Sequence, residues 1–234
     1  NPLTMALAAE VYRRDQSDER SRPSLRPSSW IPFYSPPEEV IQGYLYERIL
    51  GSIHDPDVRR LAHPGLALRI LTPEAIREVL AIPCGLGEVG PERAEALFDE
   101  LRRELALVEE AGGRTLRHRP DLRRTMLRQL RKDRRAQVRE IDRRAVDFFG
   151  RSSDVESRAS EIYHRLMLGQ ARDAVKPLLE APGDQDWHEW RADLAARLER
   201  VVDELPPLPK AFVHDEVGVS RPTQILKRAE RAEG

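Results

Sequence analysis

The sequence predicts an essentially all-α fold carrying one small β-hairpin. Three observations lead there. Leu, Ala, Arg and Glu dominate while Val and Ile are sparse, which favours helix over strand. Apolar residues recur every three or four positions along most of the chain. Strict alternation is confined to one short run, "RTLRH" at 114–118, directly after the Gly112–Gly113 pair.

The elements follow in order. Residues 3–14 read as the end of a helix, with Leu3, Leu7 and Val11 four apart on one face. The stretch 21–37 carries five prolines and five serines and reads as a linker or extended strap. Its Trp30, Ile31, Phe33 and Tyr34 are too apolar for a free tether, so the strap is expected to lie on a neighbouring surface. A helix then starts at Pro37–Glu39, where acids complement its positive end, with a stripe of Ile41, Tyr44, Leu45 and Ile49. Asp55 before Pro56 and Thr72 before Pro73 each read as an N-cap followed by a first helical residue. "IPCGLGEVG" reads as a loop.

From Pro91 a long helix is expected to run towards Gly112–Gly113, with Ala94, Leu97, Phe98, Leu101 and Leu105 facing inward. "RTLRH" is one arm of the hairpin, and "ALVEEA", at the frayed end of that helix, is its expected mate. Beyond Asp121 the helical period returns with Leu122, Met126 and Leu130, then Val138, Ile141, Ala145 and Phe148. Two further helices are expected to meet near Gly169, and "DWHEWRADLAARLERVVDEL" supplies another. The expected divisions are 1–20, the end of a preceding helical domain; 21–37, the strap; 38–132, a compact helical domain with the hairpin; and 133–234, helical hairpins.

Totals narrow the function. Among 234 residues, 39 are basic and 40 acidic, a balance that argues against wholesale nucleic-acid binding. From Arg114 to Arg144 thirteen bases face four acids, without interleaved aromatics, so this stretch reads as a solvated face or one that meets an acidic partner. The single cysteine, Cys84, rules out an internal disulfide and a Cys-rich zinc site, and a reducing cytoplasmic setting is the expectation. No apolar run approaches the roughly 20 residues of a membrane span, so no membrane partner is expected. The chain begins with Asn1, as expected of a piece of something longer. No histidine lies i, i+4 from another, and His54–Asp55 and His214–Asp215 lack an activated serine or cysteine, so neither a zinc site nor a triad is read here. No catalytic residue is assigned.

Helices followed by a small hairpin, from about Val40 to Leu130, follow the winged-helix order. With "LRHRPDLRRTML" at the hairpin exit, the block resembles the winged-helix domain of STAND (NLR-like) signalling ATPases. That family carries a nucleotide-sensing Met-His-Asp motif at this place. The resemblance matches His118 to the motif histidine and Asp121–Leu122 to the following Asp-Leu, with Arg119 and Pro120 intervening; whether His118 or Asp121 faces the nucleotide stays open. "NPLTMALAAEVYRR" is similar to the family's Gly-x-Pro helix, which makes Pro2 the residue near the adenine. The resemblance covers roughly residues 1–150.

It implies a cofactor-binding set of His118, Arg117, Asp121 and Pro2, acting on ADP or ATP with Mg in a full-length protein. No cofactor is expected for this chain alone, because it has no Gly-x-x-x-x-Gly-Lys-Ser/Thr loop. The implied partners are a nucleotide-binding domain of the same protein and a protein bound through helical repeats, in defence or signalling. "EIYHRLMLGQARDAV" resembles a tetratricopeptide helix pair, with Gly169 and Ala174 at its close approach. The competing reading is a winged-helix transcription regulator with a helical ligand or dimerisation domain. Its recognition helix would be "ERAEALFDELRRELALVE", which has about as many acids as bases.

Overall fold

The computed structural model describes residues 2–17, 38–170, 173–175 and 187–199. The strap at 21–37, most of the second helix expected after Gly169 and the chain beyond 199 lie outside the described residues. What is described is mostly helical, with one two-stranded hairpin.

Helix α1 (Pro2–Ser17) lies along α2 (Glu38–Gly51). The Gln42 amide donates to Thr4 Oγ1 near the start of both, and Arg14 donates to Ser52 Oγ near the end of both. Like ends meet, so the two helices run parallel. Leu7 seals the contact from α1. On α2 the inward aromatic is Tyr46, 1% exposed, and not Tyr44, which is 54% exposed. Tyr46 lies four before Leu50 and seven before Ile53, and that row faces the core.

Both proline-marked starts are formed as the sequence indicates. Asp55 Oδ1 accepts from the backbone N–H of Asp57 (2.7 Å) and Val58 (3.2 Å) at the head of α3 (Pro56–Gly65). Thr72 Oγ1 accepts from Ala75 N–H at 3.1 Å, starting α4 (Pro73–Ala75). The chain then widens into a π-helical turn, Ile76–Leu80, closed by Ala81 N–H to Ile76 C=O at 2.8 Å. Ile76, Val79 and Leu80 are all buried by it.

Helix α5 (Pro91–Arg102) ends sooner than the apolar period suggested. Its last turn tightens into i→i+3 bonds, Arg103 N–H to Glu100 C=O and Glu104 N–H to Leu101 C=O. Leu105 therefore leaves the stripe and is 68% exposed. The chain turns into β1 (Val108–Glu110), which pairs antiparallel with β2 (Leu116–His118) in the register Val108–His118, Glu109–Arg117 and Glu110–Leu116. Gly112 and Gly113, at φ 97° and 58°, form the turn instead of a helix end, using backbone space that residues with a Cβ avoid. On its other edge β2 meets Leu71, and Leu71 and Leu116 exchange both backbone hydrogen bonds, at 2.8 and 2.9 Å.

Helices α6 (Pro120–Asp133), α7 (Arg135–Phe149), α8 (Val155–Met167) and α9 (Trp187–Glu199) complete the described chain. One apolar core extends from Leu7 to Phe149 and includes Val138, Ile141 and Ala145 of α7. The expected division at 132–133 thus falls inside that core. A second, smaller core joins Ala159, Ile162 and Leu166 of α8 to Trp190, Leu194 and Leu198 of α9. Ala174, in the short turn Asp173–Val175 that follows Gly169, packs into it.

Candidate functional site

The hairpin exit was the sequence's nominated site, and β-strand alternation decides what it presents. Leu116 and His118 point to one side of β2 and are buried, while Arg117 points to the other and is half-buried. His118 is 2% exposed. It packs under Gly65, where an added Cβ would meet its Nε2 at 3.5 Å. Neither ring nitrogen has a well-aligned hydrogen-bond partner among the described residues, although the Gly65 and Leu107 backbones lie close enough to act on it. Burial, reinforced by the nearby Arg123 guanidinium, pushes its pKa down to about 3, against weaker favourable effects of the Gly65 and Leu107 backbone. His118 is therefore neutral and enclosed. Its ring faces the protein interior, whereas the resemblance would have it face a nucleotide.

Arg117 and Asp121 flank the turn between β2 and α6, with Arg119 between them. The Arg119 guanidinium lies 3.5 Å from the Asp121 carboxylate, both partly exposed. Asp121 Oδ1 accepts from the N–H of Leu122 at 2.9 Å, so it serves the first turn of α6. Pro2 opens α1. The structure thus brings Arg117, Arg119 and Asp121 to one edge and turns His118 inward.

A polar cluster that sequence reasoning missed lies behind this edge. Arg123 of α6 donates from Nε to the Leu66 carbonyl at 2.9 Å, and from Nη2 to the Ala67 carbonyl and to Tyr163 Oη at 3.2 and 3.0 Å. Arg123 and Arg69 both lie against the Tyr163 ring, with guanidinium carbons 5.4 and 5.7 Å from its centroid. Arg131 also donates to Tyr163 Oη, at 3.4 Å, and lies 3.9 Å from Asp142. Asp142 of α7 and His164 of α8 are both fully enclosed and joined at 2.8 Å. Burial holds the His164 pKa below the usual range despite that carboxylate, so the neutral ring donates from Nδ1 and leaves Nε2 without a hydrogen bond among the described residues.

One signal was available. Arg123 belongs to the row 123, 126, 127, 130 that α6 buries, and an arginine on an apolar row needs an internal acceptor. Asp142 and His164, on separate helices 22 residues apart, gave no such signal.

The remaining chemistry is spare. Cys84 is buried and its thiol is pushed up to about 12, so it is protonated and inert. Among the described residues no group of three His, Cys, Asp or Glu side chains could hold a metal, and no helix is long and apolar enough to cross a membrane. No protein-family model matches the chain, and neither does any curated protein or solved structure.

The enclosure of His118 has a direct consequence. Replacing it with leucine removes two buried polar atoms that have only the Gly65 and Leu107 backbones near them, in poor alignment, while roughly keeping the volume. His118→Leu is expected to stabilise the protein by about 1–2 kcal/mol, read from urea unfolding at pH 7. A loss of stability would show that the ring nitrogens are satisfied in solution.

Proposed function

We propose that the chain is a regulatory and interaction segment of a STAND-type nucleotide switch, working with a nucleotide-binding domain of the same protein and relaying its state to the helices beyond residue 150. The observation that carries this reading is the Leu71–Leu116 pairing. It gives the order helix, short strand, helix, helix, hairpin, with the first strand on the outer edge of the last, as expected of a winged helix. The α8–α9 core, with Ala174 filling the bend after Gly169, supports reading the rest as tetratricopeptide-like hairpins.

Within this reading the phosphate contact moves from His118 to the arginines on the outward side of the same turn, Arg117 and Arg119. Defence or signalling is then the setting, and ADP or ATP the ligand held between the domains. The alternative as a DNA reader gains no support from α5, whose arginines are already engaged. Arg93 is 2.8 Å from Asp57, Arg102 is 2.5 Å from Glu110 and Arg103 is 2.6 Å from Glu100.

The test is ADP retention by the chain produced together with its nucleotide-binding domain. Arg117→Ala/Arg119→Ala is expected to lose bound ADP at least tenfold faster, as removal of charge-assisted bonds requires, while His118→Leu retains it. Equal retention by both variants, or loss only in the histidine variant, would overturn the assignment.

A further inference from the structure

Arg69 poses a problem of charge. Its Nη1 is sealed from solvent and has no hydrogen-bond mate among the described residues. The charges that act on it most strongly are themselves cations, namely Arg123 from α6, Arg117 from β2 and Arg197 from α9. The one favourable neighbour is Tyr163. Burial and this like charge bring its pKa down only to about 10, so Arg69 remains a cation at neutral pH. Arg197 is already engaged by Glu156 and Asp193. Arg117 makes neither an ion pair nor a hydrogen bond among the described residues and, like Arg69, is half-buried, so one side of each reaches the surface.

A cation taken out of water without a countercharge is costly, and proteins resolve that cost by neutralisation, by water or by an anion. Neutralisation fails here, because the group is still charged. Arg69 and Arg123 lie against the same Tyr163 ring, 5.7 and 5.4 Å from its centroid, and the Leu71–Leu116 pairing sets the strand carrying Arg117 beside the segment carrying Arg69. With no carboxylate on Arg69 or Arg117 among the described residues, this matches a multiply charged tetrahedral group better than a single carboxylate. The planar fork of arginine suits such a group.

We propose that Arg69 and Arg117 form a binding site for a phosphate-type oxoanion, backed by the cationic Arg123 and the Tyr163 hydroxyl. The site shares Arg117 with the nucleotide-switch reading but does not require it, because free phosphate or the phosphate of a larger ligand satisfies the same chemistry.

The experiment is calorimetric titration of the full chain with inorganic phosphate, with ADP and with acetate at matched ionic strength, backed by thermal unfolding. Saturable phosphate binding is expected, with acetate much weaker. Arg69→Gln should weaken it about tenfold or more and Arg117→Gln about fivefold, as loss of charge-assisted bonds implies. Arg139→Gln, the same charge change on the exposed side of α7, should leave it unchanged. Without phosphate, Arg69→Gln should melt no lower than the parent, whereas a purely structural arginine would make it melt lower. If that variant does not fold, Arg69→Lys keeps the charge but loses the fork and should still bind more weakly. Tighter ADP than phosphate assigns the site to nucleotide, and equal affinities assign it to a free phosphate group. No saturable binding, or equal binding by the Arg69 variants and the parent, overturns the site, and leaves ADP retention with the nucleotide-binding domain as a separate question.

Discussion

Acidification from pH 7 to pH 4 is expected to remove about 6 kcal/mol of stability, starting near pH 6.5. The cause is a pair of histidines, His118 fully buried and His63 half-buried. His118 is held down to about 3 and His63, beside Tyr46 Oη at 3.3 Å, to about 4, in both cases chiefly by burial. Both lie below the 6.5 of an unfolded histidine, so the unfolded chain takes up protons first as the pH falls. Stability is then complete above about pH 6.5 and declines as the pH drops towards 4, by about 3 kcal/mol for each ring. Arg134 disfavours the charged form of His63 and Asp133 favours it, while Arg123 disfavours that of His118.

Glu10, Asp55, Glu78 and Asp154 act in the same direction, but later. Hydrogen bonds and nearby arginines outweigh their burial and hold each carboxyl below its ordinary value, so their contribution is lost only as the pH falls below the ordinary carboxylate range. The decline between pH 6.5 and 5 is thus a histidine signature. Urea midpoints measured across that interval should fall steadily, and His118→Leu should flatten about half of the slope. A flat profile from pH 7 to 5 would mean that the rings are wetter than the structure shows. A loss of this size is a large part of the roughly 5–15 kcal/mol that holds a domain folded.

Asp142→Ala is expected to cost about 4 kcal/mol, because it breaks a fully buried polar pair from one side. The carboxylate accepts a hydrogen bond from His164 Nδ1–H at 2.8 Å and lies 3.9 Å from Arg131, at the packed face between α7 and α8. Without it, the imidazole keeps a buried N–H with no acceptor and Arg131 loses its nearest countercharge. His164 also stacks on Phe149 at 6.1 Å and meets Tyr163 edge-on at 5.0 Å, so the ring cannot swing out to find water. Asp142→Asn retains an acceptor for Nδ1 and should cost about 1–2 kcal/mol. Equilibrium urea unfolding of both variants at pH 7 measures the difference. Equal and small costs would show that the pair is not closed in solution.

The sequence was informative where a single local rule decides the outcome. Asp55–Pro56 and Thr72–Pro73 mark helix starts because cap and φ are both set within three residues. The two arms of the hairpin were legible from alternation next to a glycine pair. Boundaries that depend on competition were not. Leu105 fits the α5 stripe, yet the demand for two paired strands ends the helix at Arg102. Tyr44 and Tyr46 differ by two positions on one helix, and only the neighbouring elements decide which is covered.

The nominated site shows the same division. The hairpin and the helix start that flank Arg117 and Asp121 were legible, but the direction of His118 was not, because the strand's pleat is set by its pairing with β1 and with Leu71. Arg69 carried no linear signal at all. Its surroundings come from β2, α6, α8 and α9, all far along the chain from it.

The Leu71–Leu116 pairing has a mechanical consequence. Arg69 lies two residues before one member of that pair and Arg117 one residue after the other, so the pairing holds their backbones close together. The two cations are preorganised: little ordering entropy remains to be lost when a ligand arrives. The same two hydrogen bonds tie the hairpin to the segment that carries Arg69.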